Sequence, residues 1–262
     1  MMEAPDGQPE NKPPKIVTAA MLVIGNEILS GRTRDANMYY LAGRLTELGI
    51  RLMEARIVPD NEAMIVAAVN DLRARYDYVF TSGGIGPTHD DITADCVAKA
   101  FGVGVGIQAE ARRRLEAHYE PGMLNEARLR MARIPEGATL IDNPVSAAPG
   151  FRIGNVLVMA GVPAIFQAMV ASVAPQLTGG DRLLSRTVIA QVPEGAVAQD
   201  LGALQQAYPD VDMGSYPAFR GGRASTAIVL RSTDKARLDA AAEAMHGIFR
   251  RFGGEPVENE IV

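Results

Sequence analysis

The run Val17–Ile24 (VTAAMLVI) is eight residues of unbroken apolar or small character that stops at Gly25. That length suits a strand buried on both faces and falls far short of the roughly 20 residues a membrane-spanning helix requires. Similar runs return at Arg51–Val58, Asp77–Ser82 and Val156–Met159. Between them the period changes. Met38, Leu41, Leu45 and Leu48 recur at helical spacing, with Gly49 placed as a C-cap. Asn61 is placed to N-cap a helix carrying Ile65, Val69 and Leu72, and Phe166, Met169 and Val173 mark another. Buried strands alternating with helices predict an α/β domain whose mostly parallel sheet is covered on both faces. Residues 108–133 read as helical with a break near Pro121-Gly122, and short strands are expected at Thr139–Ile141 and Phe151–Ile153.

The first domain is expected to span 15–176, and Leu177–Gly180 reads as a linker. Beyond it the order becomes strand (Thr187–Val192), helix (Ala196–Tyr208), strand (Val211–Tyr216), strand (Thr226–Arg231) and a helix carrying Leu238, Ala241, Met245, Ile248 and Phe252. That order predicts a small α+β domain over 181–262 with a partly antiparallel sheet. Residues 1–14 are polar and proline-rich, lack the apolar core of a signal peptide, and are expected to form a disordered tail.

Composition removes several classes of function. The net charge is -5 and no basic block stands out, so a nucleic-acid partner is not expected. Arg112, Arg113 and Arg114 fall in a helical pattern and read as a solvated face. A single cysteine excludes an internal disulfide framework and fits a cytoplasmic location, and no segment suits a membrane. Lysine occurs only at 12, 15, 99 and 235, and the phosphate-binding pattern G-x-x-x-x-G-K-[ST] is absent. A phosphate would therefore be held by backbone N–H groups, arginine or a metal ion.

In an open parallel sheet, ligands gather at the carboxyl ends of the strands. Three segments fall there. GNEILSG, Gly25 to Gly31, offers a tight exit with Asn26 and Glu27 beside it; an ordinary polar turn is the plainer reading. FTSGGIGPTHDDITADC, Phe80 to Cys96, is richer. Gly83, Gly84 and Gly86 let the backbone approach an anion, and a helix starting near Asp91 or Thr93 points its free N–H groups at the same place. The adjacent Asp90 and Asp91 would repel phosphate unless a divalent cation lay between. Mg²⁺ suits one or two carboxylates plus water and phosphate oxygens. The competing reading is that Thr88 and Asp91 form a capping box and that Asp95 merely pairs with Lys99. NPVSAAPGF, Asn143 to Phe151, with AGVP at 160–163, could line the far wall through Asn143, Ser146, Pro149 and Gly150, or be a plain proline turn. His89 lies in the motif as an acid, base or substrate contact. His118 and His246 read as structural or solvated, and Cys96 shares a core-facing helix stripe with Ile92 and Ala100. One cysteine and one histidine near the carboxylates give a zinc site little to work with.

At these loops the sequence resembles a known family. SGGIGPTHDDIT, Ser82 to Thr93, resembles the signature of the molybdopterin-binding MoaB/Mog superfamily, and more closely the GGxGPTxDDxT pattern of the competence/damage-inducible protein A (CinA) family. Every fixed position is present: Gly83, Gly84, Gly86, Pro87, Thr88, Asp90, Asp91 and Thr93. GNEILSGRTRDAN at 25–37, NEARLRMARIPEGATLIDNP at 125–144, APGF at 148–151, AGVP at 160–163 and GSYP at 214–217 extend the resemblance. It implies a three-layer αβα domain of the molybdopterin-binding type followed by a small α+β domain. It also implies a metal-dependent nucleotide pyrophosphatase acting on ADP-ribose-like compounds, or a non-catalytic molybdopterin or nucleotide binder linked to molybdenum cofactor synthesis. Under it Asp90, Asp91, His89 and Glu27 are the candidate catalytic residues, with Asp90 and Asp91 holding Mg²⁺ or a similar divalent cation. Asp60 joins Glu27 and His89 as a candidate to orient water. Gly25, Asn26, Asn37, Ser82, Gly83, Gly84, Gly86, Thr88, Thr93, Asn143, Ser146, Pro149, Gly150 and Gly161 would bind the ligand. A homo-oligomer, dimer or trimer, is expected, and the amidase domain of long-form relatives is expected to be absent. Three departures bear on the ligand: Ser146 and Ala147 replace Gly and Thr or Ser, Ala160 replaces Pro, and Asn26 stands where Asp or Thr is usual.

Overall fold

The computed structural model describes residues 14–220 and 222–259; the expected tail lies outside them apart from Pro14. Two compact units divide at residue 180.

In the first unit the strands β1 (Val17–Ile24), β2 (Ile50–Val58), β3 (Tyr78–Ser82), β6 (Thr139–Ile141), β7 (Gly150–Ile153) and β8 (Val156–Met159) form one sheet in the order β2-β1-β3-β8-β7-β6. β1, β2, β3 and β8 run parallel, whereas β7 and β6 pair antiparallel at the edge. The helices are α1 (Asn26–Leu29), α2 (Asn37–Glu47), α3 (Glu62–Arg75), α4 (Thr93–Phe101), α5 (Ala109–His118), α6 (Glu126–Leu129) and α7 (Pro163–Val173). A separate ribbon joins β4 (Val105–Ile107) to β5 (Arg133–Pro135).

Period-two alternation along β1 splits the core into two layers. Ala20, Leu22 and Ile24 pack with Ile65, Val69, Leu72, Cys96 and Leu115 on one face. Met21 and Val23 pack with Leu41, Leu45, Phe166, Met169 and Val173 on the other. Each half-buried helix closes one side of the sheet, giving the three-layer arrangement. Local signals set the boundaries. The Asn61 side chain accepts from Met64 N–H to start α3. Gly49, at φ 71, follows α2 and donates to Thr46 O. Gly102, at φ 67, ends α4.

The stretch 108–133 is helical with the expected break: α5 ends at His118, a turn falls at Pro121-Gly122, and Asn125 caps the single turn of α6 before a 3-10 turn over Arg130–Ala132. Some expectations need correction. Asp95 does not pair with Lys99. Lys99 reaches Glu62 and Asp95 reaches Arg133, because α4 packs against α3 on one flank and the β4–β5 ribbon on the other. Nor is 177–180 a free linker. Thr178 N–H donates to the Tyr78 hydroxyl at 3.0 Å and Gly180 N–H to Gly49 O at 3.2 Å.

The second unit has the antiparallel sheet β10-β11-β9-β12, from β9 (Leu184–Ala190), β10 (Asp212–Arg220), β11 (Arg223–Ser232) and β12 (Val257–Asn259). Helices α8 (Glu194–Ala207) and α9 (Lys235–Arg251) bury Val197, Leu204, Leu238, Met245 and Phe249 against Val188, Ile228 and Leu230. Only one face of the sheet is covered, and β11 accordingly alternates. His246 is buried, with Nε2 2.7 Å from Glu258 Oε1, a structural role as expected, while His118 is exposed and meets Tyr119 edge-on.

Candidate functional site

β1 is followed by β2 on one side while β3 joins its other side, so the chain changes direction between β1 and β3. Their carboxyl ends open a crevice of the kind that α/β sheets use for ligands. Gly25 leaves β1 with its N–H on Val58 O at 3.1 Å, and the next amide, Asn26 N–H, donates to Asp60 Oδ2 at 2.9 Å. Glu27 is exposed, its carboxylate lying over Gly25.

The glycine loop follows β3. Gly83 has φ 110, and a Cβ there would collide with the Ile24 carbonyl oxygen. Gly84 has φ 69, and a Cβ there would collide with Thr93 Oγ1. Thr93 explains the closeness: its N–H donates to Gly84 O at 3.0 Å and its hydroxyl to Gly83 O at 3.0 Å, clasping the start of α4 onto the loop. The three glycines do not act alike. Gly83 N–H is spent on Met159 O at 3.1 Å, extending the pairing of β3 with β8, so it does not serve as an anion donor. The N–H groups of Gly84, Ile85 and Gly86 have no hydrogen-bond acceptor among the described residues.

Thr88 and Asp91 close a tight turn. Thr88 N–H donates to Asp91 Oδ2 at 2.8 Å and the Thr88 hydroxyl to the same oxygen at 2.5 Å. This is not the cap of α4, whose N-cap is Ile92 with no side-chain hydrogen bond. Asp91 Oδ1 receives no hydrogen bond among the described residues. Asp91 lines a cleft together with Gly84 and Gly86. Asp90 does not line that cleft; its side chain is 58% exposed and that of His89 99% exposed. The nearby Thr88 hydroxyl, then the turn's own backbone and His89, hold the Asp90 carboxyl below its ordinary value. So the two adjacent aspartates face different surroundings, one the cleft and the other water.

Asn37 is buried at the strand ends, 3% exposed. Its Nδ2 donates to Ser82 Oγ at 2.8 Å and to Gly161 O at 2.7 Å, tying the first turn of α2 to the exits of β3 and β8. Its Oδ1 is buried without a partner among the described residues. The exits lie so close that a Cβ on Gly161 would meet the Gly83 Cα at 3.3 Å.

In the third segment Asn143 looks inward. It donates to Ser146 Oγ at 2.7 Å and Ala148 O at 2.8 Å, and accepts from Val145 N–H and Ser146 N–H. Both ends of the amide are consumed by its own loop, which holds Ala147 at φ 58. Gly150 sits in β7, where a Cβ would collide with Val158 O. Pro149 does reach the cleft, which also takes in Arg130, Arg133 and Phe151. The two arginines were missed in the sequence because they lie some 45 residues beyond the glycine loop; the quoted segment NEARLRMARIPEGATLIDNP was the available signal. Cys96 is buried beneath α4 and its thiol is pushed up to about 11 by burial, which suits packing and not nucleophilic use.

No cluster of three or more His, Cys, Asp or Glu side chains able to hold a metal occurs among the described residues. No helix among them is long and apolar enough to cross a membrane.

A family profile described as "Probable molybdopterin binding domain" matches residues 20–179, and one described as "FAD synthase, middle domain" matches residues 182–251. CinA-like proteins of Citrifermentans bemidjiense and Geobacter sp. (strain M21) are each 37% identical over 198 residues, covering 69% of this chain and 48% of theirs. The chain thus spans about half the length of those relatives. Protein TK1472 of Thermococcus kodakarensis is 31% identical over 240 residues, covering 86% of this chain and 94% of its own. Among solved structures, CinA from Thermoplasma acidophilum is 33% identical with a TM-score of 0.58, covering 62% of this chain and 98% of its own.

Proposed function

The chain belongs to the CinA-like branch of the molybdopterin-binding-domain family, and from that premise we propose that it is a metal-dependent pyrophosphatase that splits the diphosphate of ADP-ribose or a similar nucleotide. The observation that carries the reading is the pairing of three unspent amides, Gly84, Ile85 and Gly86, with the Asp91 carboxylate at the mouth of one cleft. Unspent loop amides form an anion-binding concavity. A carboxylate beside them repels that anion unless a cation bridges the two.

The donor set fits such a cation. Asp91 has one oxygen fixed by Thr88 and the other open, and Asp90 is adjacent and solvated. Mg²⁺ takes one or two carboxylates and completes its shell with water and phosphate. The same set does not suit a resident zinc ion, which requires three or four nitrogen, sulfur or oxygen ligands from the protein. When bound, the cation supplies neutralisation of the developing phosphoryl charge and acidification of an attacking water. The chain's own residues do the rest. Gly84, Ile85 and Gly86 N–H groups donate to non-bridging oxygens, which are more negative as the bond to the leaving phosphate breaks. Thr88 fixes the Asp91 carboxylate so that Oδ1 faces the ligand. Asn37 holds the exits of β3 and β8 in register, leaving Oδ1 to accept a hydrogen bond.

Purified protein with Mg²⁺ and ADP-ribose is expected to release AMP, and Asp91→Asn is expected to lower the rate by about 100-fold or more. Undiminished turnover in Asp90→Asn, Asp91→Asn would remove the mechanism. A second reading, a non-catalytic binder of molybdopterin or a nucleotide linked to cofactor synthesis, is favoured by the third loop. There Asn143 spends its amide internally and Ser146 and Ala147 depart from the family pattern. Calorimetric binding without turnover across a nucleotide panel would favour it.

A further inference from the structure

The cleft has a second wall that the pyrophosphatase reading does not use. Arg130 and Arg133 face the glycine loop and the start of α4 across it. Their electrostatic situations differ. Arg133 forms an ion pair with Asp95, so its charge is already met. The Arg130 side chain has no ion pair and no hydrogen bond among the described residues, and its Nε is buried without a partner among them, as is that of Arg133. A guanidinium whose buried Nε has no partner carries an unmet donor, which costs stability. Setting aside the Arg133–Asp95 pair, the cleft is left with one acid, Asp91, on the loop side and one base, Arg130, on the ribbon side. A single phosphate on the three amides beside Asp91 would leave Arg130 unmet. Two phosphates in sequence would meet both.

We infer that Arg130 is the residue that selects a diphosphate: its guanidinium receives the phosphate distal to the Gly84–Gly86 amides. The ligand class is then a nucleotide whose two phosphates are joined, in preference to a phosphomonoester. The inference rests on the proposed site, and it concerns binding, so it survives or fails separately from hydrolysis. Arginine suits the task because its planar fork can donate two parallel hydrogen bonds to one phosphate.

The test is calorimetric titration of ADP-ribose, as a non-hydrolysable analogue, and of AMP, each with Mg²⁺, into the wild-type chain, Arg130→Gln and Arg130→Lys, with AMP release from ADP-ribose itself assayed separately. The wild-type chain is expected to favour ADP-ribose over AMP by about 10-fold or more. Arg130→Gln is expected to weaken ADP-ribose by about 10-fold while AMP stays within about 2-fold, and Arg130→Lys to recover part of the loss. Equal weakening of both ligands, or none, overturns the assignment. Should Arg130→Gln melt well below the wild type, Arg130→Lys carries the test: retained charge must leave the ADP-ribose preference above that of any neutral variant. Selective binding with no AMP release supports Arg130 and overturns only the hydrolase reading. AMP release by Arg130→Gln at wild-type KM overturns Arg130 and leaves the hydrolase reading standing.

Discussion

A methyl group at residue 83 has no room: at φ 110 the Cβ would collide with the backbone carbonyl oxygen of Ile24 on the neighbouring strand. Both the torsion and the clash are backbone effects, so no side-chain rotation relieves them. Gly83→Ala is expected to lose at least about 2 kcal/mol of stability, read as a lower urea midpoint at unchanged slope. An unchanged midpoint would mean that the exits of β1 and β3 are not as close as described. The glycines announced this loop in the sequence, but not how their work divides. Gly83 continues the sheet through Met159 O, while Gly84 and Gly86 keep free amides. Which amide is spent depends on a partner strand 73 or more residues away, and no local pattern carries that. Asp90 and Asp91 were equally prominent as letters. Their separation into solvated and cleft-facing roles comes from the Thr88 turn. Arg130 and Arg133 lie in the family-like segment 125–144, but arginines in a polar helical stretch read as surface, and only the tertiary fold brings them to the cleft with the loop.

Elements with a full repeat of their period were legible: β1, α3, β8 and α7 end within about two residues of where alternation, caps and glycines set them. Three very short elements were not, although the equally short β6, β7 and β8 were marked by apolar runs. α1, β4 and β12 are too short to show a period, and they form because a neighbour supplies their partners. β12 shows how. Arg186 on β9 donates through Nε to Glu258 Oε2 at 3.1 Å and through Nη1 to Asp239 Oδ1 at 2.9 Å, while His246 on α9 meets Glu258 Oε1. Hydrogen bonding from Arg186, then from His246, holds the Glu258 carboxyl below its ordinary value of 4.5 against the opposing effect of burial. A lowered carboxylate stabilises fully above its unfolded value, and that contribution is lost as pH falls through the folded one. Protection factors at β12 and β9 amides, corrected for intrinsic exchange, should therefore be full at pH 6 to 7 and fall as acid protonates Glu258, below its ordinary value of 4.5. Glu258→Gln is expected to remove roughly 1 to 2 kcal/mol of that protection at neutral pH and to match the wild type in acid. Equal protection in the two chains at neutral pH would show that the carboxylate does not clamp the strand.

At the scale of the whole molecule, the class of the first unit followed from buried strands alternating with helices, and that of the second from two strands in succession between helices. The edge of the first sheet was less legible, because the three- and four-residue strands β6 and β7 turn antiparallel without a sequence mark. Across this architecture the functional account reduces to one arrangement: a diphosphate held where the chain reverses direction between β1 and β3, its charge shared by loop amides and by a cation on Asp91. The most direct test is the crystal structure of the chain with Mg²⁺ and a non-hydrolysable ADP-ribose analogue. The account predicts the diphosphate on the Gly84, Ile85 and Gly86 amides, with Mg²⁺ bridging a phosphate oxygen to Asp91. A nucleotide bound away from that loop, or an Asp91 that still contacts Thr88 alone in the loaded crystal, would contradict it.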